Sequence, residues 1–186
     1  MTAEQALTRL LEGNERFRSG RPAAPNRDGR RRADQAGDQT PFAVVLGCAD
    51  SRVPPEIVFD QGLGDLFVVR VAGNTAADHM TLGSIEFGVR VLQCPLVLVL
   101  GHEKCGAVQA AVSARTEEAP PGGHLGALIG PILPVVPAGR DRDRDLDAAV
   151  MANVRAQVTH LAEEFRATRV VGARYALVSG RVDLLA

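Results

Sequence analysis

Two short clusters contain the residue types that could do chemistry. The first is Cys48-Ala-Asp50-Ser-Arg52, and the second is His102-Glu-Lys-Cys105. Two thiols and an imidazole would supply three ligands of a tetrahedral Zn²⁺ site, and three protein ligands leave a fourth position open for water or substrate. Together the clusters predict a catalytic zinc site with Cys48, His102 and Cys105 as the metal ligands.

The same cysteines have a second interpretation. Cys48 and Cys105 could be buried free thiols, with His102 capping a helix, or they could form a redox disulfide. Three features favour the zinc site: the Asp-x-Arg element beside Cys48, the position of both clusters after an apolar run, and the number of ligands.

The apolar runs show how the clusters could meet. Residues 41–47 and 95–101 each begin with Pro, end with Gly and are otherwise apolar. Such runs are typical of parallel strands that are covered on both faces. In open α/β sheets, ligands bind beyond the carboxyl ends of the strands. A helix that begins near Cys105 would also let His102 and Cys105, three residues apart, face the same way.

The rest of the chain alternates between strand-like and helix-like segments. Strands are predicted at 42–46, 66–71, 96–100, 169–178 and 182–185, the last two as a hairpin. Helices are predicted at the N-terminus, where Thr2 and Gln5 form a capping box, and at 55–59, 76–92, 105–114, 125–133 and 146–166, with loops at 20–38 and 117–123. The pattern predicts an α/β fold, a mostly parallel β-sheet with an antiparallel edge strand, flanked by helices. We expect one domain, in which 1–38 form a helix and loop arm and 39–186 the zinc-binding core.

Composition limits the partners and the compartment. The chain has 186 residues and a net charge of −1, and its only charge clusters, at 30–32 and 140–145, are too short or too balanced for a nucleic-acid surface. The sequence contains no membrane-length apolar run and no signal-like start, so we expect no membrane partner and a cytoplasmic location. Three cysteines fit a reducing compartment. Cys94 is expected to be an inert buried thiol, and His79, His124 and His160 to lie at the surface.

The two motifs resemble those of the bacterial β-class carbonic anhydrases, Cys-x-Asp-x-Arg and His-x-x-Cys. The similarity covers nearly the whole chain and includes residues 12–14, 16–17, 41–42, 51–55, 65–67, 101–102, 105–108 and 170–172. It implies Zn²⁺ as the cofactor and CO₂ and bicarbonate as the substrates. The activity implied is reversible hydration of CO₂ to bicarbonate and a proton, by attack of zinc-bound hydroxide.

The resemblance also implies roles for single residues. Asp50 and Arg52 would be catalytic: the arginine holds the aspartate away from zinc, and the aspartate orients the bound hydroxide. Without that hold, Asp50 could become a fourth ligand in a closed state. Gln39, Phe67 and Ala72 fall at positions of the substrate pocket, although Gln39 could be a loop residue and the other two ordinary core.

Assembly and regulation follow from the same resemblance. The N-terminal helix would pack on a partner subunit, in a homodimer or a dimer of dimers. Val45 stands where some members have a tryptophan of an inhibitory bicarbonate site, and the chain has no Trp. This predicts the non-allosteric type. The segment before Val170 is shorter than in relatives. We expect this difference to affect the assembly more than the chemistry of the metal site.

Two other functions would use the same zinc ligands. A CS₂ or COS hydrolase would need the same site with a different access channel. A non-catalytic zinc or thiol sensor, or a scaffold subunit, would bind metal without turnover, and it would have no need of Asp50 and Arg52.

Overall fold

A mixed β-sheet forms the centre of the computed structural model, which describes residues 1–115, 121–137 and 142–185, with 142–144 as backbone only. Within these residues its strands are β1 Ala43–Gly47, β2 Leu66–Arg70, β3 Leu96–His102, β4 Arg169–Tyr175 and β5 Val182–Leu185. The sheet order is β2-β1-β3-β4-β5. The first four strands are parallel, and β5 runs antiparallel to β4 at one edge. The predicted fold class is confirmed.

The central strands β1 and β3 are covered on both faces, as their largely apolar sequences predict. Every residue of these two strands is buried. Gly47 pairs with Leu100, so both strands approach the same edge of the sheet. β3 runs two residues past the predicted end, because Gly101 and His102 still pair with β4.

Helices cover the two faces of the sheet. They are α1 Ala3–Arg18, α2 Gly29–Asp34, α3 Pro55–Val58, α4 His79–Glu86, α5 Gly106–Ala114, α6 Gly123–Ile129 and α7 Arg142–Glu164. A π-helical turn, Phe87–Val91, extends α4, and a 3₁₀ turn, Leu133–Val135, follows α6. In the described parts of the chain, none of these helices combines the length and the apolar character needed to cross a membrane.

The hydrophobic core forms separate clusters on the two faces of the sheet, because successive side chains of a strand point to opposite faces. Val45 and Leu98 face a cluster that includes Leu10 of α1 and Phe59 after α3. Val44 and Val99 face a cluster with α4 and α7. A third cluster packs α5, α6 and α7 around Cys48 and Cys105.

The N-terminal segment differs in part from the prediction. The capping box at Thr2 and Gln5 is confirmed. Residues 20–38 are not one loop, because Asp28 accepts the backbone N–H of Arg31 and caps the six-residue helix α2. Leu10 of α1 is fully buried against the chain's own core. Packing of α1 on a partner subunit stays a prediction.

Two buried carboxylates tie this segment to the core. Asp60 accepts hydrogen bonds from Arg16 Nε at 2.7 Å and from the backbone N–H groups of Ala23 and Ala24 at 2.9 Å. Asp65 accepts from Arg9 Nη2 and from Asn26 Nδ2, both at 2.9 Å. We call Asp60, Asp65 and these partners the arm clasp.

Other helix and strand boundaries differ from the predicted ones, because local hydrogen bonds set where these elements begin and end. The helix predicted at 76–92 begins at His79, because Asp78 caps it by accepting from Met80 and Thr81. β4 ends at Tyr175, three residues early, and 176–181 form the turn to β5, with Gly180 at φ +69°. The predicted loop at 117–123 and the charge cluster at 140–145 lie partly outside the described residues.

Candidate metal centre

Cys48, His102 and Cys105 converge at the carboxyl edge of the sheet. Cys48 follows the last residue of β1, His102 ends β3, and Cys105 is the N-cap of α5. The two Sγ atoms are 3.9 Å apart. One ligand atom from each of the three residues lies within 4.8 Å of the others, and all three residues are buried. The group could therefore hold a metal ion.

His102 presents one ring nitrogen to this group. Its Nδ1 lies 2.8 Å from the carbonyl oxygen of Glu103, which requires the proton on Nδ1. Nε2 is then an acceptor, and it is buried with no hydrogen-bond partner among the described residues. Buried polar atoms are nearly always paired, so this nitrogen fits a metal ligand.

The contact between the two sulfurs shifts the pKa values of the two thiols in opposite directions. A hydrogen bond from the Cys105 thiol lowers the pKa of Cys48, and the same contact, together with burial, raises the pKa of Cys105. A thiolate is the form that binds metal. Two sulfurs and an imidazole nitrogen are a ligand set that suits Zn²⁺, so the residues fit the ion that the sequence predicts.

Asp50 is held beside this group by Arg52. Arg52 donates from Nε to Oδ1 at 2.9 Å and from Nη2 to Oδ2 at 2.6 Å, and its backbone N–H also donates to Oδ1. These bonds hold the pKa of Asp50 well below its usual range, so the carboxylate is ionised. Asp50 Oδ2 lies 3.9 Å from His102 Nε2. The second motif takes part as well, since the Lys104 carbonyl accepts from Arg52 Nη2 at 3.3 Å.

Arg70 is a site residue that the sequence did not reveal. It ends β2, next to Gly47 of β1. Its Nε donates to the Cys48 carbonyl at 2.8 Å, and its Nη2 donates to the Asp50 carbonyl at 2.6 Å. Only the β1–β2 register brings it to this loop, and one sequence does not give that register.

Gly73 is a second residue that the sequence did not reveal. Its N–H donates to Cys48 Sγ at 3.3 Å. Its φ is +79°, and a Cβ at this position would lie 2.7 Å from Ile132 Cδ1. A side chain here would strain the backbone and would have to displace Ile132, so glycine is favoured at this position. The Ala-Gly-Asn run after a predicted strand was the available signal.

The three predicted pocket residues are separated in the structure. Ala72, half-buried, precedes Gly73 at the carboxyl edge. Phe67 is the second residue of β2, and its ring stacks on Phe87 with 6.0 Å between centroids. Gln39 is exposed before the start of β1, and a five-residue strand spans about 16 Å. Within one chain Gln39 therefore lies far from Cys48, and the pocket roles stay predictions.

The remaining cysteine and histidines are not members of the candidate metal-binding group. Cys94 is buried, its thiol donates to the Pro41 carbonyl at 3.3 Å, and burial raises its pKa to about 11. This fits the expected inert thiol. His79, His124 and His160 are exposed, as predicted.

Comparison with known proteins adds independent evidence. The family model for carbonic anhydrase matches residues 43–182. Carbonic anhydrase 2 of Mycobacterium tuberculosis is 53% identical over 131 residues, which is 70% of this chain and 63% of that protein. This chain thus spans less than two thirds of that relative. The carbonic anhydrase of Mycolicibacterium smegmatis is 43% identical over 185 residues, which cover 94% of this chain and 89% of the relative.

Solved structures agree with the sequence comparison. The β-carbonic anhydrase of Coccomyxa in complex with acetazolamide superposes with a TM-score of 0.76 at 29% identity, covering 96% of this chain and 86% of that one. A tetrameric β-carbonic anhydrase of Sordaria macrospora gives a TM-score of 0.71 at 26% identity, covering 83% and 85%. With a family model that spans most of the chain, a bacterial relative that covers nearly all of it and the Cys48, His102 and Cys105 group in place, the chain belongs to the β-class carbonic anhydrases.

Proposed function

We propose that this protein catalyses the reversible hydration of CO₂ to bicarbonate and a proton, with Zn²⁺ held by Cys48, His102 and Cys105. One observation carries the proposal: two thiols and an unpartnered His102 Nε2 meet in a buried group beside an ionised carboxylate. The β-class carbonic anhydrases are zinc enzymes, and the donor set of this chain suits that ion.

The ligand residues supply charge as well as position. When bound, Zn²⁺ acts as a Lewis acid that lowers the pKa of a water molecule in its open position and so provides a nucleophile near neutral pH. As thiolates, Cys48 and Cys105 would balance the charge of a divalent cation. His102 would bind through Nε2, since the Glu103 carbonyl holds the proton on Nδ1.

Asp50 is the residue that would orient the reacting hydroxyl group. Because it is ionised, its carboxylate only accepts hydrogen bonds. Arg52 engages both oxygens with its guanidinium and fixes the direction of the carboxylate. The free acceptor capacity would accept a hydrogen bond from a hydroxyl group near His102, which would turn an oxygen lone pair towards CO₂. Arg52 would also prevent Asp50 from becoming the fourth ligand of a closed state.

Assembly would complete the substrate pocket. Within one chain, neither Gln39 nor Phe67 lies with the metal ligands, so a pocket that contains them needs a second copy. A homodimer or a dimer of dimers, with α1 on the partner, would provide it. The tetrameric Sordaria neighbour is consistent with an oligomer. We also propose a cytoplasmic location, in keeping with three free cysteines.

Stopped-flow CO₂ hydration, on protein of measured zinc content, tests the proposal. We expect fast hydration that a strong chelator abolishes and added zinc restores. Zinc-replete protein without hydration would overturn the proposal. Sulfide release from COS or CS₂ would then indicate the hydrolase, and metal binding without any turnover would indicate a sensor or scaffold.

A further inference from the structure

The loop that follows β2 links the metal centre to helix α7. The Gly73 N–H donates to Cys48 Sγ at 3.3 Å, and the Gly73 carbonyl accepts from Asn153 Nδ2 at 2.8 Å. Asn153 lies on α7 and is fully buried. One side chain of α7 therefore holds the residue that contacts the sulfur of a predicted metal ligand.

A second amide on α7 orients the first. Gln157, one helical turn later, accepts the Ala76 N–H on Oε1 at 2.8 Å and donates from Nε2 to Asn153 Oδ1 at 3.4 Å. Because Oδ1 of Asn153 is taken by this donor, its Nδ2 faces Gly73. The two amides grip the loop at Gly73 and at Ala76.

This arrangement is more than packing requires. Apolar side chains would fill a buried helix face without the need to satisfy amide groups, and an unpaired buried amide is strongly unfavourable. Contacts one step removed from a metal ligand commonly set its orientation and its affinity for the ion. We infer that Asn153, oriented by Gln157, is a positioning residue of the metal centre. It fixes the Gly73 N–H against the Cys48 sulfur and strengthens zinc binding, an inference that rests on the proposed zinc site.

The variant Asn153→Leu tests this, because it removes the donor and nearly keeps the volume. The zinc dissociation constant is measured by competition with a chromophoric chelator. We expect it to rise about 10- to 100-fold. Leu161→Ala is the matched control: Leu161 is fully buried two turns along α7 from Asn153 and belongs to the cluster on the α4 and α7 face of the sheet. Its dissociation constant should stay within about 3-fold of the parent's, even where its unfolding midpoint falls.

Cobalt substitution gives a readout that a purely structural role would not move. Release of the Gly73 carbonyl lets the Gly73 N–H move away from the Cys48 sulfur and so changes the electron density on that sulfur. The thiolate-to-cobalt charge-transfer band should therefore shift in Asn153→Leu and not in Leu161→Ala. An unchanged dissociation constant and band in Asn153→Leu would overturn the inference. Equal weakening in Leu161→Ala would overturn it as well.

A second variant keeps the inference testable where Asn153→Leu does not fold. Gln157→Met leaves Asn153 in place but removes its orienting partner, and it should give a smaller rise in the dissociation constant with the same band shift. An unchanged band and constant would count against the inference. Both readouts are taken without CO₂, so they are independent of whether the zinc-loaded parent hydrates CO₂.

Discussion

The metal centre and the arm clasp both pair aspartate with arginine, but they use the carboxylate differently. Asp50 receives all of its charged hydrogen bonds from Arg52, two residues away, and Arg52 is 51% exposed. Asp60 is fully buried and receives its bonds from α1 and from the chain after it. A structural carboxylate joins distant segments. Asp50, the proposed catalytic carboxylate, is held from one side by Arg52, which leaves acceptor capacity free.

Arg52→Ala should have the largest effect on activity. Without the guanidinium, Asp50 can turn onto the metal and occupy the open position. We expect turnover to be abolished while zinc content stays near that of the parent, as measured by stopped flow and by metal analysis of the same samples. Arg52→Lys keeps the charge but loses the two-point contact, so its turnover should lie between those of the parent and Arg52→Ala. Loss of zinc together with activity would make Arg52 a structural support instead.

Asp50→Asn should reduce kcat/KM strongly and leave the fold intact. The amide keeps the shape of the side chain but cannot act as an ionised acceptor, so we expect a loss of about 10²- to 10⁴-fold. Stopped-flow hydration and the thermal midpoint are measured together. Activity within tenfold of the parent would show that Asp50 does not orient the nucleophile.

Asp60→Asn should show the opposite pattern. Arg16 and the N–H groups of Ala23 and Ala24 lose a charged, buried acceptor. The free energy of unfolding in urea should fall by about 1–3 kcal/mol. Zinc content and the activity of the folded fraction should not change. Reduced activity of Asp60→Asn at normal stability would contradict a purely structural role for Asp60.

The arm clasp also predicts a smaller, pH-dependent effect. Burial raises the pKa of Asp60, but hydrogen bonds from Arg16, Ala23 and Ala24 more than offset it, so the pKa is lowered in the folded chain. Its stabilising contribution is complete above the unfolded pKa of about 4 and is lost as the pH falls through the folded pKa. The stabilities of parent and Asp60→Asn should therefore converge in acid. A constant difference from pH 7 to pH 3 would contradict this.

The sequence predicted the parts of the site that depend on local pattern. The runs before Cys48 and His102 indicated buried parallel strands, and parallel strands bring their carboxyl ends to one edge. Arg70 and Asn153 could not be found this way, since their contacts depend on strand register and on a helix 80 residues from Gly73. Helix α2 was missed because six residues are too few for a periodic pattern.

The approach of Cys48 to Cys105 has one further consequence. The two sulfurs lie 3.9 Å apart although 57 positions separate them in the chain. An ion bound by both would close a long loop and act as a removable cross-link between the end of β1 and the start of α5. Metal binding of this kind contributes directly to folding free energy. Removal of zinc should therefore loosen the whole carboxyl edge of the sheet, including the loop gripped by α7.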